Sequence, residues 1–342
     1  MLFETFAAGG CRSYVVGCEA TRSAVVIDPE LSLIDRYRGH LAQAGLVARY
    51  VVDTHTHADH FSASRELGKA LGAPVVMNRL SPAPYPDLRL DDGDMLIAGQ
   101  LKIRALHTPG HTRDSMSLVM DDRVFTGDTL LIGGTGRTDL PSGDPHDLYD
   151  SLFDRLLKLP GETLVFPAHE YKGRGHTTIA DEIASNPRLQ KTDRAEFVAM
   201  MQALDLAAPT HLTEALRTNM TGARTVAQLL AEASAKVPFM AMQELSERLG
   251  GNSRDLVVID LREKDAFDQG HVPGARHLPR GQLELRVNSE FPDPTVRIVT
   301  CCEFGKISTL AAATLRDLGF LRATALDGGI KAWREAGLPL EG

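Results

Sequence analysis

Apolar runs and amphipathic stretches alternate over the first ninety residues. Ser23 to Asp28 is an apolar run closed by Pro29, which predicts a strand. Ile34, Tyr37, Leu41 and Ala44 then recur at helical spacing up to Gly45. A second strand ends at Asp53, a helix over roughly 62–71 stops at Gly72, and Pro74 to Met77 is the next strand. Prolines 82, 84 and 86 exclude regular structure from the following loop. From residue 90 the pattern changes to consecutive strands, Leu101 to Leu106, Ser115 to Met120 and Arg123 to Thr126, with Asp121 and Asp122 turning between the last two. Glu162 to Phe166 predicts one more strand, and 178–230 reads as helical.

A polar, Ala-rich stretch at 231–237 precedes Pro238, so we divide the chain into domains 1–235 and 236–342. Beyond that point the pattern restarts with a helix (241–249), a strand (Leu256 to Ile259), a strand (Val296 to Thr300) and a helix (Ser308 to Leu318), then a short strand and a helix containing Trp333. Such alternation predicts a small α/β domain with a parallel sheet. A length of 342 residues suits two cores. The net charge of -8 argues against nucleic acid or an anionic membrane surface as the main partner. No apolar run approaches the ~20 residues of a membrane span. The N-terminus lacks a basic segment followed by an apolar stretch, and four cysteines are too few for a disulfide framework, so a cytoplasmic, reducing setting is expected. A homodimer is compatible with this composition.

Chemistry concentrates where the strands end. The strand ending at Asp53 runs into His55, His57, Asp59 and His60. The later strands are followed by His107 to His111, by Asp128 and by His169. An α/β sheet places its site at such strand ends. Imidazole and carboxylate together suit zinc, iron or manganese. His40, His107, His146, His176 and His211 are read as surface or core histidines, and Cys11 and Cys18 as buried structural thiols.

Thr54 to His60, with His111, Asp128 and His169, resembles the metallo-β-lactamase superfamily. The resemblance implies an αββα sandwich with metal between the two sheets. Gly127 to Asp139, Pro167 to Gly173 and Asn186-Pro187-Arg188 are similar to the persulfide dioxygenases of sulfide oxidation. That likeness implies one Fe(II) per chain held by His55, His111 and Asp128, with glutathione persulfide and O2 converted to sulfite and glutathione. Two histidines and one carboxylate leave open positions on iron for sulfur and O2 together. It also implies that Arg137, Asp139 and Tyr171 handle the glutathione moiety, and Arg217 is a further candidate for one of its carboxylates. His57, Asp59, His60 and His169 either hold a second metal, as in dinuclear hydrolases, or serve without metal as hydrogen-bond partners, as in the dioxygenases. The rival reading is a dinuclear zinc glutathione-thioester hydrolase of the glyoxalase II type.

Cys302-Glu303-Phe304-Gly305-Lys306-Ile307-Ser308 follows a strand and opens a helix, where backbone N–H groups and the helix N-terminus favour a thiolate nucleophile. This loop resembles the active loop of rhodaneses, as do Asp260 to Glu263, Gly270 to Ala275 and Gly328 to Trp333. Cys302 has glycine at +3 and serine at +6 and is the expected catalytic cysteine, with Glu303, Gly305, Lys306 and Ser308 around it. Ile307 stands where many rhodaneses carry arginine, and Lys306 offers a charge but no bidentate fork to thiosulfate. Cys301 is read as a packing residue. The resemblance implies sulfane-sulfur transfer between thiosulfate and glutathione, releasing or consuming sulfite. A sulfane-sulfur carrier or sensor is the alternative.

Overall fold

The structure, a computed structural model, describes residues 1–207, 212–251 and 256–342, so His211 lies outside it. The chain forms two compact units, Met1–Ala223 and Arg224–Gly342. In the first, β1 (Leu2–Ala8), β2 (Cys11–Gly17), β3 (Ser23–Ile27), β4 (Val47–Val52), β5 (Val75–Asn78) and β6 (Leu88–Leu90) make one sheet in that order. Pairing is antiparallel from β1 to β3 and parallel from β3 to β6. The second sheet holds β7 (Met95–Ala98), β8 (Leu101–His107), β9 (Met116–Val119) and β10 (Arg123–Gly127). After a small hairpin, β11 (Leu130–Leu131) and β12 (Gly134–Thr135), it is completed by β13 (Leu164–Pro167) and β14 (Thr177–Thr178), in the order β14-β13-β10-β9-β8-β7.

The two-residue period of the strands sorts side chains into layers. Val25 and Ile27 of β3 pack between the sheets with Val16, Val52, Ile103, Leu118 and Phe125. Ala24 and Val26 of the same strand face Tyr37, Leu41 and Leu67 from the helices Ile34–Ala44 and Ser64–Leu71. Behind the second sheet, Val124 and Val165 meet Leu148, Leu152, Ile179 and Phe197. The result is the expected αββα sandwich. The three-residue β6, the four-residue β7 and the helix beginning at Pro145 were not predicted, because so few positions carry little period. The region 178–230 resolves into separate helices, Ile179–Ser185, Arg194–Gln202, Leu212–Thr221 and the start of Val226–Lys236.

The second unit is a parallel sheet of β15 (Phe239–Met240), β16 (Leu256–Asp260), β17 (Arg276–His277), β18 (Arg297–Cys301) and β19 (Thr324–Leu326), ordered β15-β19-β18-β16-β17. Trp333 is fully buried and donates its indole N–H to the Pro339 carbonyl at 2.8 Å. The helix Val226–Lys236 packs on the helix Lys306–Asp317. That contact is why the unit starts at Arg224 and not at residue 236 as expected. Among the described residues, no helix is long and apolar enough to cross a membrane.

Candidate metal centre and sulfur-transfer loop

The ends of β4, β8, β10 and β13 lead directly to His55, His111, Asp128 and His169. His55 Nδ1 donates to Thr54 Oγ1 at 3.0 Å, and that hydroxyl donates onward to Asp28 at 2.9 Å. His111 Nδ1 donates to the Arg137 carbonyl at 2.8 Å. Both rings are thereby held with Nε2 toward Asp128 Oδ2, at 3.9 and 3.5 Å. The three ligand atoms lie within 4.8 Å of one another in a buried set. His55 Nε2 has no hydrogen-bond partner, an omission that costs about 1–3 kcal/mol in a buried group unless an ion supplies the partner. Burial, then the neighbouring His57, pushes His55 down to about 3, which keeps the imidazole neutral and fit to ligate. Burial acts to raise Asp128, but His169, His111 and His55 hold it below the usual carboxylate range. The donor set fits a metal ion. Gly136 permits the approach: a Cβ there would stand 2.1 Å from the Asp128 carbonyl oxygen and 2.9 Å from His111 Nδ1.

The second cluster differs in membership from the expected His57, Asp59, His60 and His169. His57 turns Nε2 toward Asp28, at 3.2 Å, and groups with Asp28 and Asp53. Its place beside Asp59, His60 and His169 is taken by Cys11. Cys11 is half-buried and lines a pocket, so it is not the buried structural thiol predicted, whereas Cys18 is buried. Burial alone would lower His60, but Asp59 and Cys11 outweigh it and push the ring up to about 10.

That pocket, of about 570 Å³, is lined by His111, Asp128, Arg137, His169, Tyr171 and Arg188 among others. Arg137 grips Asp139 through two contacts of 2.6 Å and donates to the carbonyls of Leu206 and Ala207. Tyr171, 77% exposed, stacks on His169 with ring centres 6.0 Å apart. Arg217 is exposed on the helix Leu212–Thr221 and does not line this pocket. Arg188 does, although it was not among the predicted site residues. It donates to the carbonyl and hydroxyl of Thr135 at 2.6 and 2.9 Å, and burial pushes its guanidinium below its ordinary value. The Asn-Pro-Arg segment was its only sequence signal.

In the second unit β18 ends at Cys301, and Cys302 begins the loop before the helix Lys306–Asp317. Cys302 Sγ accepts the Ser308 N–H at 3.3 Å and lies 3.5 Å from Ser308 Oγ. Gly305 takes a left-handed φ of 82°, which curls the loop back onto the sulfur. Glu303 is bridged by Arg262 and Arg334, both at 3.3 Å. Lys306 and Ile307 are exposed at the rim. Cys301 is fully buried, donates to the Ile259 carbonyl at 3.6 Å, and is pushed well above its ordinary value by burial.

Residues 7–169 match the metallo-beta-lactamase superfamily, and residues 241–336 match the rhodanese-like domain. The human mitochondrial persulfide dioxygenase ETHE1 is 38% identical over 224 residues, covering 64% of this chain and 87% of the relative. The crystal structure of ETHE1 from Myxococcus xanthus superposes with a TM-score of 0.63 at 43% identity, over 64% of this chain and 98% of that one. A metallo-beta-lactamase from Staphylococcus aureus, 21% identical with a TM-score of 0.61, shares the fold over 95% of this chain and 98% of its own. The chain thus belongs to the persulfide dioxygenase family of the metallo-beta-lactamase superfamily, and a rhodanese-like domain follows that fold within it.

Proposed function

We infer that the first unit oxidises glutathione persulfide with O2 and water to sulfite and glutathione, and that the second transfers sulfane sulfur. The observation that carries the first reading is the His55–His111–Asp128 set opening into the Arg137/Arg188 pocket, in a chain related to proteins named persulfide dioxygenases. Those three residues would hold a single Fe(II), which when bound supplies the redox chemistry that couples O2 to sulfur oxidation. The chain's own residues do the rest. Thr54 and the Arg137 carbonyl fix the tautomers of His55 and His111. Arg188 and Arg137 meet the glutathione carboxylates, and the cost of burying Arg188 is offset when an anion arrives. Asp139 pairs with Arg137 beside the pocket, and Tyr171, stacked on His169, contributes to its lining. A volume of about 570 Å³ suits a tripeptide thiol.

In the second unit Cys302 would attack the outer sulfur of thiosulfate, forming a cysteine persulfide and releasing sulfite. Glutathione then takes that sulfur, giving glutathione persulfide and restoring the Cys302 thiolate. The Ser308 N–H steadies the sulfur in both forms. Carrying both activities on one chain raises the effective concentration of the shared persulfide. The mammalian relatives are mitochondrial by name, so a cytoplasmic setting stays a proposal that rests on the four free cysteines.

The test is O2 uptake by purified full-length protein with glutathione persulfide, with sulfite measured as product. Hydrolysis of a glutathione thioester is the second reading, favoured by the unpartnered Nε2 atoms of His60 and His169. Rapid release of glutathione from lactoylglutathione, with no O2 consumed, would establish that reading instead.

A further inference from the structure

Two cavities of the first unit share a wall. Beside the pocket of the metal set lies a second chamber of about 340 Å³, and the buried side chains of Ala58 and Leu140 line both. Thr56 and Thr112, which line the chamber, directly follow His55 and His111 in the chain. The chamber therefore lies against the two loops that carry the ligand histidines. Leu216 and Met220, one turn apart on the helix Leu212–Thr221, line it together. Leu80, also in its lining, is exposed, so the chamber reaches the surface.

This chamber offers little to a polar guest, because its polar groups are engaged with one another or with neighbours. Asp114 accepts from the Thr56 N–H and hydroxyl at 3.0 and 2.6 Å. The Thr112 hydroxyl pairs with Ser115 at 2.8 Å, and Ser142 Oγ accepts the Arg113 N–H at 3.3 Å. The Arg113 side chain is exposed. Leu80, Pro82, Leu140, Leu216 and Met220 are then the surface that a guest meets. Apolar cavities take up apolar gases such as xenon.

We propose that this chamber is the entry and holding site for O2, a small apolar gas that crosses the Ala58–Leu140 wall toward the His55–His111–Asp128 set. The proposal rests on the oxidation reading. A tripeptide persulfide fills much of the pocket of about 570 Å³ in front of that set, so O2 arriving second needs another way in. The shared wall supplies one. Ala58 contributes a single methyl to it, and rotation of the Leu140 side chain widens it. The two substrates are thereby kept apart by their chemistry. The anionic thiol enters past Arg137 and Arg188, and the gas enters from the side of Leu216 and Met220.

Met220→Trp and Leu216→Trp test this, since each fills the chamber from its helix and neither residue lines the metal pocket. In the iron-loaded full chain, each should lower kcat/KM for O2 about tenfold. The KM for glutathione persulfide and the iron content should stay unchanged. Met220→Ala, which leaves the chamber open, should match the parent protein. Apart from turnover, crystals of the full chain under xenon pressure should hold xenon in the chamber of the parent and of Met220→Ala. The tryptophan variants should hold none. An empty parent chamber, or unchanged O2 kinetics in the variants that exclude xenon, would overturn the proposal. A raised KM for glutathione persulfide with O2 kinetics untouched would overturn it too, and would give the chamber to the thiol. Absence of O2 uptake by the parent protein would remove the oxidation reading and the O2 role together. Xenon still reports on the chamber in that case, so the two failures are told apart.

Discussion

Thr54 touches no substrate, yet its hydroxyl decides which nitrogen of His55 faces Asp128. Thr54→Val keeps the volume and removes the acceptor, leaving Asp28 and His55 both short of a partner. Iron affinity should then fall roughly 10- to 100-fold, measured by chelator competition, with the fold retained in circular dichroism. Arg188 makes the complementary case on the substrate side. Arg188→Ala should raise the KM for glutathione persulfide about tenfold or more while iron content stays unchanged, because the contact proposed between Arg188, which lines the pocket, and a glutathione carboxylate is a charge-assisted one. A parallel loss of iron would mean that Arg188 supports the ligand loops and does not meet the substrate. Cys301 and Cys302 separate in the same way. Cys301→Ala should cost roughly 1 kcal/mol of stability and leave sulfur transfer within about twofold, since Cys301 is sealed in the core.

At the scale of elements, the strand ends organise the chemistry, and they were also the most legible part of the sequence. β4, β8, β10 and β13 announce themselves by apolar runs, and each is followed by a residue able to ligate a metal, so His55, His111, Asp128 and His169 could be named as candidates in advance. The loop Cys302 to Ser308 was legible for the same reason, a strand running into a helix start. What escaped is what only tertiary contact decides. β1 and β2 fold back so that Cys11 meets Asp59, 48 positions away, while His57 rotates toward Asp28. No local period carries either fact. Arg188 is brought to the pocket by Asn186, whose amide donates to the Gly134 carbonyl at 2.9 Å and to Glu182 at 2.7 Å. The helix Val226–Lys236 reads as a continuation of the helical region before it, and only its packing on Lys306–Asp317 assigns it to the second unit. The core of that unit turns on Trp333. Trp333→Ala should destabilise it by about 3–5 kcal/mol, seen as a lowered melting transition with loss of sulfur transfer.

At the scale of the whole molecule, a persulfide dioxygenase unit and a rhodanese-like unit share one chain, and the proposed function gives the first an oxidising and the second a transferring step. They should be separable. Cys302→Ser should abolish transfer from thiosulfate to glutathione and leave O2 uptake with glutathione persulfide largely intact, because no metal-set residue lies in the Cys302 loop. Equal loss of both would mean that the oxidising centre depends on sulfur delivered by Cys302. The central claim is the identity of the ion at His55, His111 and Asp128. The most direct measurement combines metal analysis of the purified full-length protein with an oxygen electrode. About one iron per chain, with O2 consumed and sulfite formed from glutathione persulfide, is the expected result. Zinc at that stoichiometry in place of iron, with no O2 uptake, would contradict it.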